Sequence, residues 1–450
     1  MIASIQTRIS IPWPGAAARM VATAFRALEA LLRAPSVLYL AALAAMLLRP
    51  PDIEFHEVDR VAFVLSLLTV AILVITGCRK LSFERVTWPM LGLFSLAIAS
   101  VAGQPFDPQT WSLLAAKFIV PFAMFHMAGV VFTENKHFRQ FELFGLIVLA
   151  YLCFTAIAFL VGARQLIFPR FILDESLGYH ADRARGPFLQ AVANGVSLNL
   201  LGILALHAFL RKRIRGVSAA MLLVSLPLAI LATMTRAVWL SFAISMGYLI
   251  FRSHNRQLRL IAVAVAIAGA MGLLITLSFD DQRRTLSDRL QESGPLEFRR
   301  AVYTGGWQMF LEKPLTGWGV NQMPAELARH VSGYRHKELY PHNTYLEILV
   351  EHGVLGLALY LWLMWEFWGL RRAPIPLSEP TSFLDQHFHQ MWPVLMAVYC
   401  VNASLVVMNY QFVNGIVFTM AGMLAAQRRR ATGLAGCRSR PLLSPREVTQ

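Results

Sequence analysis

Long apolar blocks alternate with short polar stretches along most of the chain. A block of about 20 apolar residues is long enough, as an α-helix, to cross the hydrocarbon core of a bilayer. Hydropathy predicts about twelve such helices, some of them short. The predicted helices lie near residues 34–49, 61–78, 86–102, 111–132, 138–161, 191–210, 216–232, 237–251, 258–279, 343–369, 390–408 and 411–426. The pattern therefore predicts an all-α polytopic membrane protein.

Two polar connections are much longer than the others and cover residues 162–190 and 280–342. Long loops on a membrane scaffold are where binding and catalytic residues concentrate. Phe298, Val302 and Met309 recur at helical spacing in the second loop, which we therefore expect to be partly helical. The predicted divisions are an amphipathic segment at 1–33, helices 1–9 at 34–279, the large loop at 280–342, helices 10–12 at 343–426 and a basic tail at 427–450.

Composition agrees with a membrane protein, since 56% of the residues are hydrophobic and only 15% are charged. Much of the formal net charge of +15 comes from lysines and arginines in alternate connections and in the C-terminal tail. Such residues are retained on the cytoplasmic side of a membrane, so both termini are expected to be cytoplasmic and both long loops to face outward. Topology and attraction to anionic membrane lipids explain the charge without a nucleic-acid partner.

Five arginines stand out in the regions expected to face outward, where positive charge does not help topology. They are Arg183 and Arg185 before the sixth predicted helix, Arg236 in a short turn, and Arg299 and Arg300 on the predicted loop helix. A guanidinium group binds phosphate through two parallel hydrogen bonds and keeps its charge at every physiological pH. Together these residues form a candidate pyrophosphate site. For any one of them, snorkelling to lipid phosphate or pairing with a nearby carboxylate is the alternative.

The large loop ends in the sequence YPHNTYLEILVEHGVLG, which places a histidine directly before an apolar helix. A neutral imidazole at His342 is suited to act as general base on a hydroxyl, although a histidine there is equally suited to cap the helix. Asn343 either orients His342 or caps the helix itself. Glu347 and Glu351 lie one helical turn apart, and we interpret them as buried acids that order an adjacent cavity or pair with an arginine. His336 is the substitute base.

Motifs for other chemistries find little support. The chain has no Gly-rich phosphate loop with lysine, no HExxH and no GxSxG. The adjacent Asp280 and Asp281 come nearest to a metal-binding pair on the outward side, but neighbouring loop aspartates usually form a solvated helix end. The four cysteines offer neither a disulfide pair nor metal-ligand spacing. We therefore expect neither a metal nor an organic cofactor.

Three segments resemble the O-antigen ligase superfamily, which also includes O-antigen polymerases and bacterial protein O-oligosaccharyltransferases. The segments are RARGPFLQAVANG at 183–195, TMTRAVWLSF at 233–242, and the run from Arg299 through PLTGWG at 314–319 to PHNTYLEILVEHGVLG at 341–356. The resemblance implies a GT-C-like architecture and a metal-independent glycosyltransferase in the bacterial inner membrane, with its active site on the periplasmic face. The implied donor is a glycan on undecaprenyl pyrophosphate. The implied acceptor is a sugar hydroxyl, which in the ligases belongs to lipid A-core.

The same resemblance implies roles for single residues. Those implied to hold the pyrophosphate are Arg185, Arg236 and Arg299, with Arg183 and Arg300 as the neighbouring alternatives. His342 is implied to deprotonate or position the acceptor hydroxyl. Two other functions stay open, namely a polymerase that joins repeat units on the same scaffold and a flippase or transporter of lipid-linked glycan. Acceptor choice depends on pocket shape, so the residues do not separate ligase from polymerase.

Overall fold

The computed structural model describes residues 34–438 except 50–56, 82, 103, 179, 254, 279–293, 332–338 and 375–382. Within these residues the secondary structure consists of α-helices with short 3-10 and π-helical turns, and it contains no strand. The predicted N-terminal segment at 1–33, the pair Asp280 and Asp281, His336, and the tail beyond residue 438 lie outside the described residues.

Helices occupy every one of the predicted apolar segments. In chain order they are α1 (Pro35–Leu47), α2 (Val58–Ile75), α3 (Thr87–Ala102), α4 (Pro108–Val131), α5 (Asn135–Leu160), α6 (Ala191–Leu210), α7 (Gly216–Ala232), α8 (Arg236–Arg252), α9 (Arg256–Leu277), α10 (Gly294–Glu312), α11 (Met323–His330), α12 (Thr344–Gly369), α13 (Gln386–Ala403) and α14 (Gln411–Arg438). The two that match no predicted span, α10 and α11, belong to the large loop, which is partly helical as expected.

Six helices in the described part of the chain, α2, α4, α5, α6, α9 and α12, are long and apolar enough to cross a membrane. Three shorter apolar helices, α1, α3 and α7, accompany them. The prediction of an all-α polytopic membrane protein is therefore confirmed. The total of about twelve spans and the GT-C-like architecture stay predictions.

Burial differs strongly among the apolar helices. In α6, 89% of the most apolar 18-residue segment is buried, whereas the corresponding values for α2 and α9 are 28% and 22%. An apolar helix that leaves most of its surface uncovered is stable only where its surroundings are also apolar. We therefore place α6 at the centre of the bundle and assign the exposed faces of α2 and α9 to lipid.

The helix α12 is broken at Gly353, which has a φ of 66° and a ψ of −166°. A break inside a bilayer frees main-chain groups that must find partners within the protein. The turn PLTGWG at 314–319 supplies these partners. Three hydrogen bonds of 2.9 Å join the turn to the break: Trp318 N donates to Val350 O, Gly319 N to Glu351 O, and Val354 N to Pro314 O. The large loop is thus fixed to the middle of α12.

Side chains also attach the large loop to α3 and α4. Asn321 Nδ2 donates to Thr110 Oγ1 at 2.9 Å. Gln322 Nε2 donates to Gln104 Oε1, just beyond the end of α3, at 3.1 Å. The segment after the PLTGWG turn is therefore anchored on a second side, so the loop is held against three helices.

We predict that Gly317→Ala destabilises the protein. Gly317 has a φ of +68°, and a Cβ there would lie 2.4 Å from the main-chain carbon and oxygen of Glu351. Both the strained backbone and the clash oppose a side chain, so the free energy of unfolding should fall by about 2 kcal/mol or more. Thermal unfolding of the purified protein in detergent measures the effect. The matched control is Gly247→Ala in α8, where nothing lies within 4 Å of the added Cβ and alanine favours the helix. Equal melting temperatures for the two variants would contradict the close approach.

Candidate functional site

His342 lies directly before α12 in the left-handed region of backbone space, with a φ of 47°. A non-glycine residue in this region is uncommon, and such conformations cluster at functional sites. The imidazole is exposed, and its ring centroid lies 6.2 Å from that of Phe298 on α10 in an edge-to-face arrangement. The start of α12 and the loop helix α10 therefore meet at His342.

The surroundings of His342 favour the neutral form of its imidazole. Partial burial of the ring lowers its pKa below the usual value, and the positive charges of Arg299 and His180 lower it further. A neutral imidazole has a free nitrogen lone pair that can accept a proton. The geometry thus brings together two of the residues expected from the sequence, His342 and Arg299. It also adds His180, from the loop at 162–190, which the sequence did not single out.

Of the two neighbouring arginines on α10, Arg299 is the one whose charge acts on His342. Its side chain is half-buried, whereas that of Arg300 is exposed. This difference indicates which face of α10 is turned toward His342, a question that the sequence left open. We therefore assign Arg299, and not Arg300, to the face of α10 that meets His342.

Asn343 caps α12. Its Oδ1 accepts hydrogen bonds from Tyr345 N at 3.0 Å and from Leu346 N at 3.1 Å. These are the donors that a helix leaves without main-chain partners at its start. Of the two roles expected for Asn343, the structure therefore supports the helix cap. Because Asn343 caps α12, His342 is not needed as the cap.

Arg236 is the first residue of α8, and its side chain is exposed. The N-terminus of a helix carries partial positive charge and free N–H groups, so it attracts anions together with the guanidinium. The segment before α6 lies beside this turn, because Ala184 N donates to Ala232 O at 3.1 Å. The structure therefore brings the predicted residues at 183–185 next to the turn that precedes Arg236.

Arg185 has a different environment from the one expected. Its side chain is buried, with 1% exposed. Each of its three nitrogen atoms donates to a main-chain carbonyl, in Ile172, Leu177 and Asp174 of the loop at 162–190. These contacts give Arg185 a structural role within the loop and leave the expected contact with pyrophosphate without support. Arg183, the neighbouring alternative to Arg185, lies nearer the surface, with 13% of its side chain exposed.

Asn194 completes this arrangement. Its amide is fully buried and donates to Ala184 O at 2.8 Å. The adjacent Gly186 leaves room for it, since a Cβ at that position would lie 2.8 Å from Asn194 Oδ1. The segment RARGPFLQAVANG therefore mainly attaches the loop at 162–190 to the start of α6.

Glu347 and Glu351 pair with a lysine and not with an arginine. Lys117 Nζ lies 2.7 Å from Glu347 Oε1 and 2.9 Å from Glu351 Oε1. All three side chains are buried or nearly so, and Lys117 lies in a π-helical turn of α4 at Ala115–Ile119. The expectation of buried acids next to a cavity is met, since all three residues line one. The presence of three charges in otherwise apolar spans was the sequence signal for this cluster.

We predict that Arg185→Met loosens the loop at 162–190. The change removes the donors to the carbonyls of Ile172, Leu177 and Asp174. An unsatisfied buried carbonyl, as at Ile172, costs on the order of 1–3 kcal/mol. Limited proteolysis of the purified protein should cut this loop much faster than in the unchanged protein. The matched control is Arg170→Met, because Arg170 also donates to two carbonyls of this loop but is exposed to water. Equal cleavage of both variants would contradict the structural role of Arg185.

A model of one protein family, described as O-antigen ligase, matches residues 219–361. This interval contains Arg236, Arg299, the PLTGWG turn and His342, and it leaves out Arg183 and Arg185. A search of curated proteins with the chain found no match. The match covers less than half of the chain, but it includes Arg236, Arg299 and His342, and over this interval the chain is similar to the O-antigen ligases.

Proposed function

We propose that the protein transfers a glycan from undecaprenyl pyrophosphate to a sugar hydroxyl of lipid A-core or a similar acceptor. The reaction takes place at the periplasmic face of the bacterial inner membrane, with both termini of the chain in the cytoplasm. The observations that carry the proposal are the packing of the His342 ring against Phe298 and the effect of the neighbouring Arg299 charge on His342. All three residues lie inside the interval matched by the O-antigen ligase model.

In the proposed reaction, the acceptor oxygen forms a bond to the anomeric carbon of the glycan as the bond from that carbon to the pyrophosphate oxygen breaks. His342 takes the proton of the acceptor hydroxyl. Arg299 and Arg236 hold the pyrophosphate and neutralise the negative charge that grows on it as it leaves. Fixed guanidinium groups are already oriented before the reaction, so they stabilise the transition state without a metal ion.

The exposure and charge of the site support this division of roles. His342 and Arg236 are exposed and Arg299 is half-buried, so all three are accessible to a ligand. An anionic pyrophosphate beside Arg299 also lowers the net positive charge next to His342, which raises the basicity of the imidazole when the donor is bound. Binding of the donor would thus prepare the base for the second substrate.

Charge within the spans argues against the flippase alternative. A flippase needs a polar path through both leaflets, whereas Lys117, Glu347 and Glu351 are confined to one compact cluster of ion pairs. The ligase and polymerase alternatives differ only in the acceptor, and they predict different intermediates in a strain that lacks the gene. A polymer of normal length on the lipid carrier identifies a ligase, and single repeat units identify a polymerase.

We predict that His342→Ala and Arg236→Ala each lower the rate of glycan transfer by about a hundredfold or more, because each removes a group that acts on the reacting atoms. The measurement follows lipid-linked donor and finished surface polysaccharide in a deletion strain that expresses each variant at equal level. Arg329→Ala is the control, since Arg329 is an exposed arginine that pairs with Glu326 on α11. Undiminished transfer by the His342→Ala variant would contradict the role of His342 as general base.

The lowered pKa of His342 predicts a specific pH profile. The neutral base is fully present above the pKa and is lost as the pH falls through it, so the acid limb of kcat/KM should lie below the usual histidine value of about 6.5. Arg299→Gln removes a positive charge that lowers the pKa, so the limb should move to higher pH. Arg299→Lys keeps the charge and should leave the limb near its original place. An acid limb that is the same in Arg299→Gln would contradict the effect of the Arg299 charge on His342.

A further inference from the structure

A buried ion cluster joins α4 to the N-terminal half of α12, which we define as Thr344–His352. Lys117 Nζ contacts Glu347 Oε1 at 2.7 Å and both carboxylate oxygens of Glu351, at 2.9 Å and 3.1 Å. The exposed fractions of the three side chains are 10%, 9% and 3%. One ammonium group therefore holds two carboxylates that lie on the same face of α12, one helical turn apart.

Such a cluster is costly in a membrane protein. Charges within a bilayer lose their hydration, and a buried ion pair is seldom more stabilising than apolar side chains of similar volume. A contribution to overall stability is therefore a poor explanation for it. Contacts of this kind do, however, oppose movements that separate the partners, because a buried charge left without its partner is strongly destabilising.

The N-terminal half of α12 has a particular need for such a constraint. The break at Gly353 separates it from the rest of the helix, so its rotation about its own axis is not set by helical continuity. A helix of so few residues is also marginal by itself. Its face toward α4 adjoins a cavity of about 40 Å³, which is lined in part by Thr344, Glu347 and Glu351. Close apolar packing does not brace this face completely.

Hydrogen bonds hold the N-terminal half of α12 at both of its ends. At the start, Thr344 Oγ1 donates to Val406 O and accepts from Met408 N, both at 2.9 Å. At the end, the PLTGWG turn binds the carbonyls of Val350 and Glu351. The Lys117 contacts lie between these two points. They hold the face of the half-helix that carries Glu347 and Glu351 against Lys117 of α4.

We propose that Lys117 is a positioning residue: by gripping Glu347 and Glu351 it sets the rotation and depth of the N-terminal half of α12, and thereby places His342 against Arg299. The part of this proposal that concerns catalysis rests on the proposed function of His342. The part that concerns the half-helix stands on the contacts alone.

The test uses a full-length variant in which all three charges are replaced by apolar side chains, Lys117→Met with Glu347→Leu and Glu351→Leu. No buried charge is left without a partner, so the variant is expected to fold. Hydrogen exchange followed by mass spectrometry compares residues 340–352 with residues 354–369. The matched control is Arg211→Met with Glu142→Leu, which removes another buried ion pair, of 3.0 Å, far along the chain from α12. Lys117→Arg keeps the charge and the ion pairs.

In the triple variant we expect faster exchange in 340–352 and unchanged exchange in 354–369. We also expect a fall in kcat of about a hundredfold with little change in KM for the lipid-linked donor, because His342 is displaced while the arginines remain. The Lys117→Arg variant should retain most of the kcat of the unchanged protein. The control pair should leave exchange in 340–352 unchanged.

Unchanged exchange in 340–352, or equally faster exchange in both segments, would overturn the positioning role. So would faster exchange in 340–352 without any fall in kcat. The proposed function fails separately: if His342→Ala transfers glycan normally while the triple variant shows the expected exchange pattern, the constraint on the half-helix stands and the catalytic role of His342 does not.

Discussion

Main-chain polar groups inside a bilayer need partners within the protein. The break of α12 at Gly353 imposes this requirement in the helix that follows His342. The turn PLTGWG meets it with three hydrogen bonds. Because the turn belongs to the large loop, the same bonds that repair the helix also bring the loop, and α10 with it, against the start of α12. The ring contact between Phe298 and His342 depends on this arrangement.

The segments that carry the family resemblance therefore contain residues of two kinds. Gly317, Gly353 and Asn343 shape or cap the backbone, and Arg185 fastens a loop through three carbonyls. A smaller set, His342, Arg236 and Arg299, offers charged or titratable groups to a ligand. A conspicuous arginine in such a segment is thus insufficient by itself to indicate a substrate contact.

Much of the fold was predictable because hydropathy is a local property. Every predicted apolar segment contains a helix, and the helical spacing of Phe298, Val302 and Met309 correctly indicated α10. The environment of Arg185 was not predictable, since its partners are main-chain carbonyls of an irregular loop. The partner of Glu347 was equally hidden, because Lys117 is 230 positions away in the sequence and helical phase alone does not reveal which helices meet. Helical phase likewise did not separate Arg299 from Arg300.

We propose that the protein joins a lipid-linked glycan to a separate acceptor at the site around His342. The most direct measurement reconstitutes the purified protein in lipid vesicles with glycan-linked undecaprenyl pyrophosphate and lipid A-core, in the presence of a metal chelator, and follows the products by mass spectrometry. The account predicts glycosylated lipid A-core and free undecaprenyl pyrophosphate in equal amounts, both lost in His342→Ala. Unchanged donor, or glycan joined only to a second molecule of the donor, would contradict it.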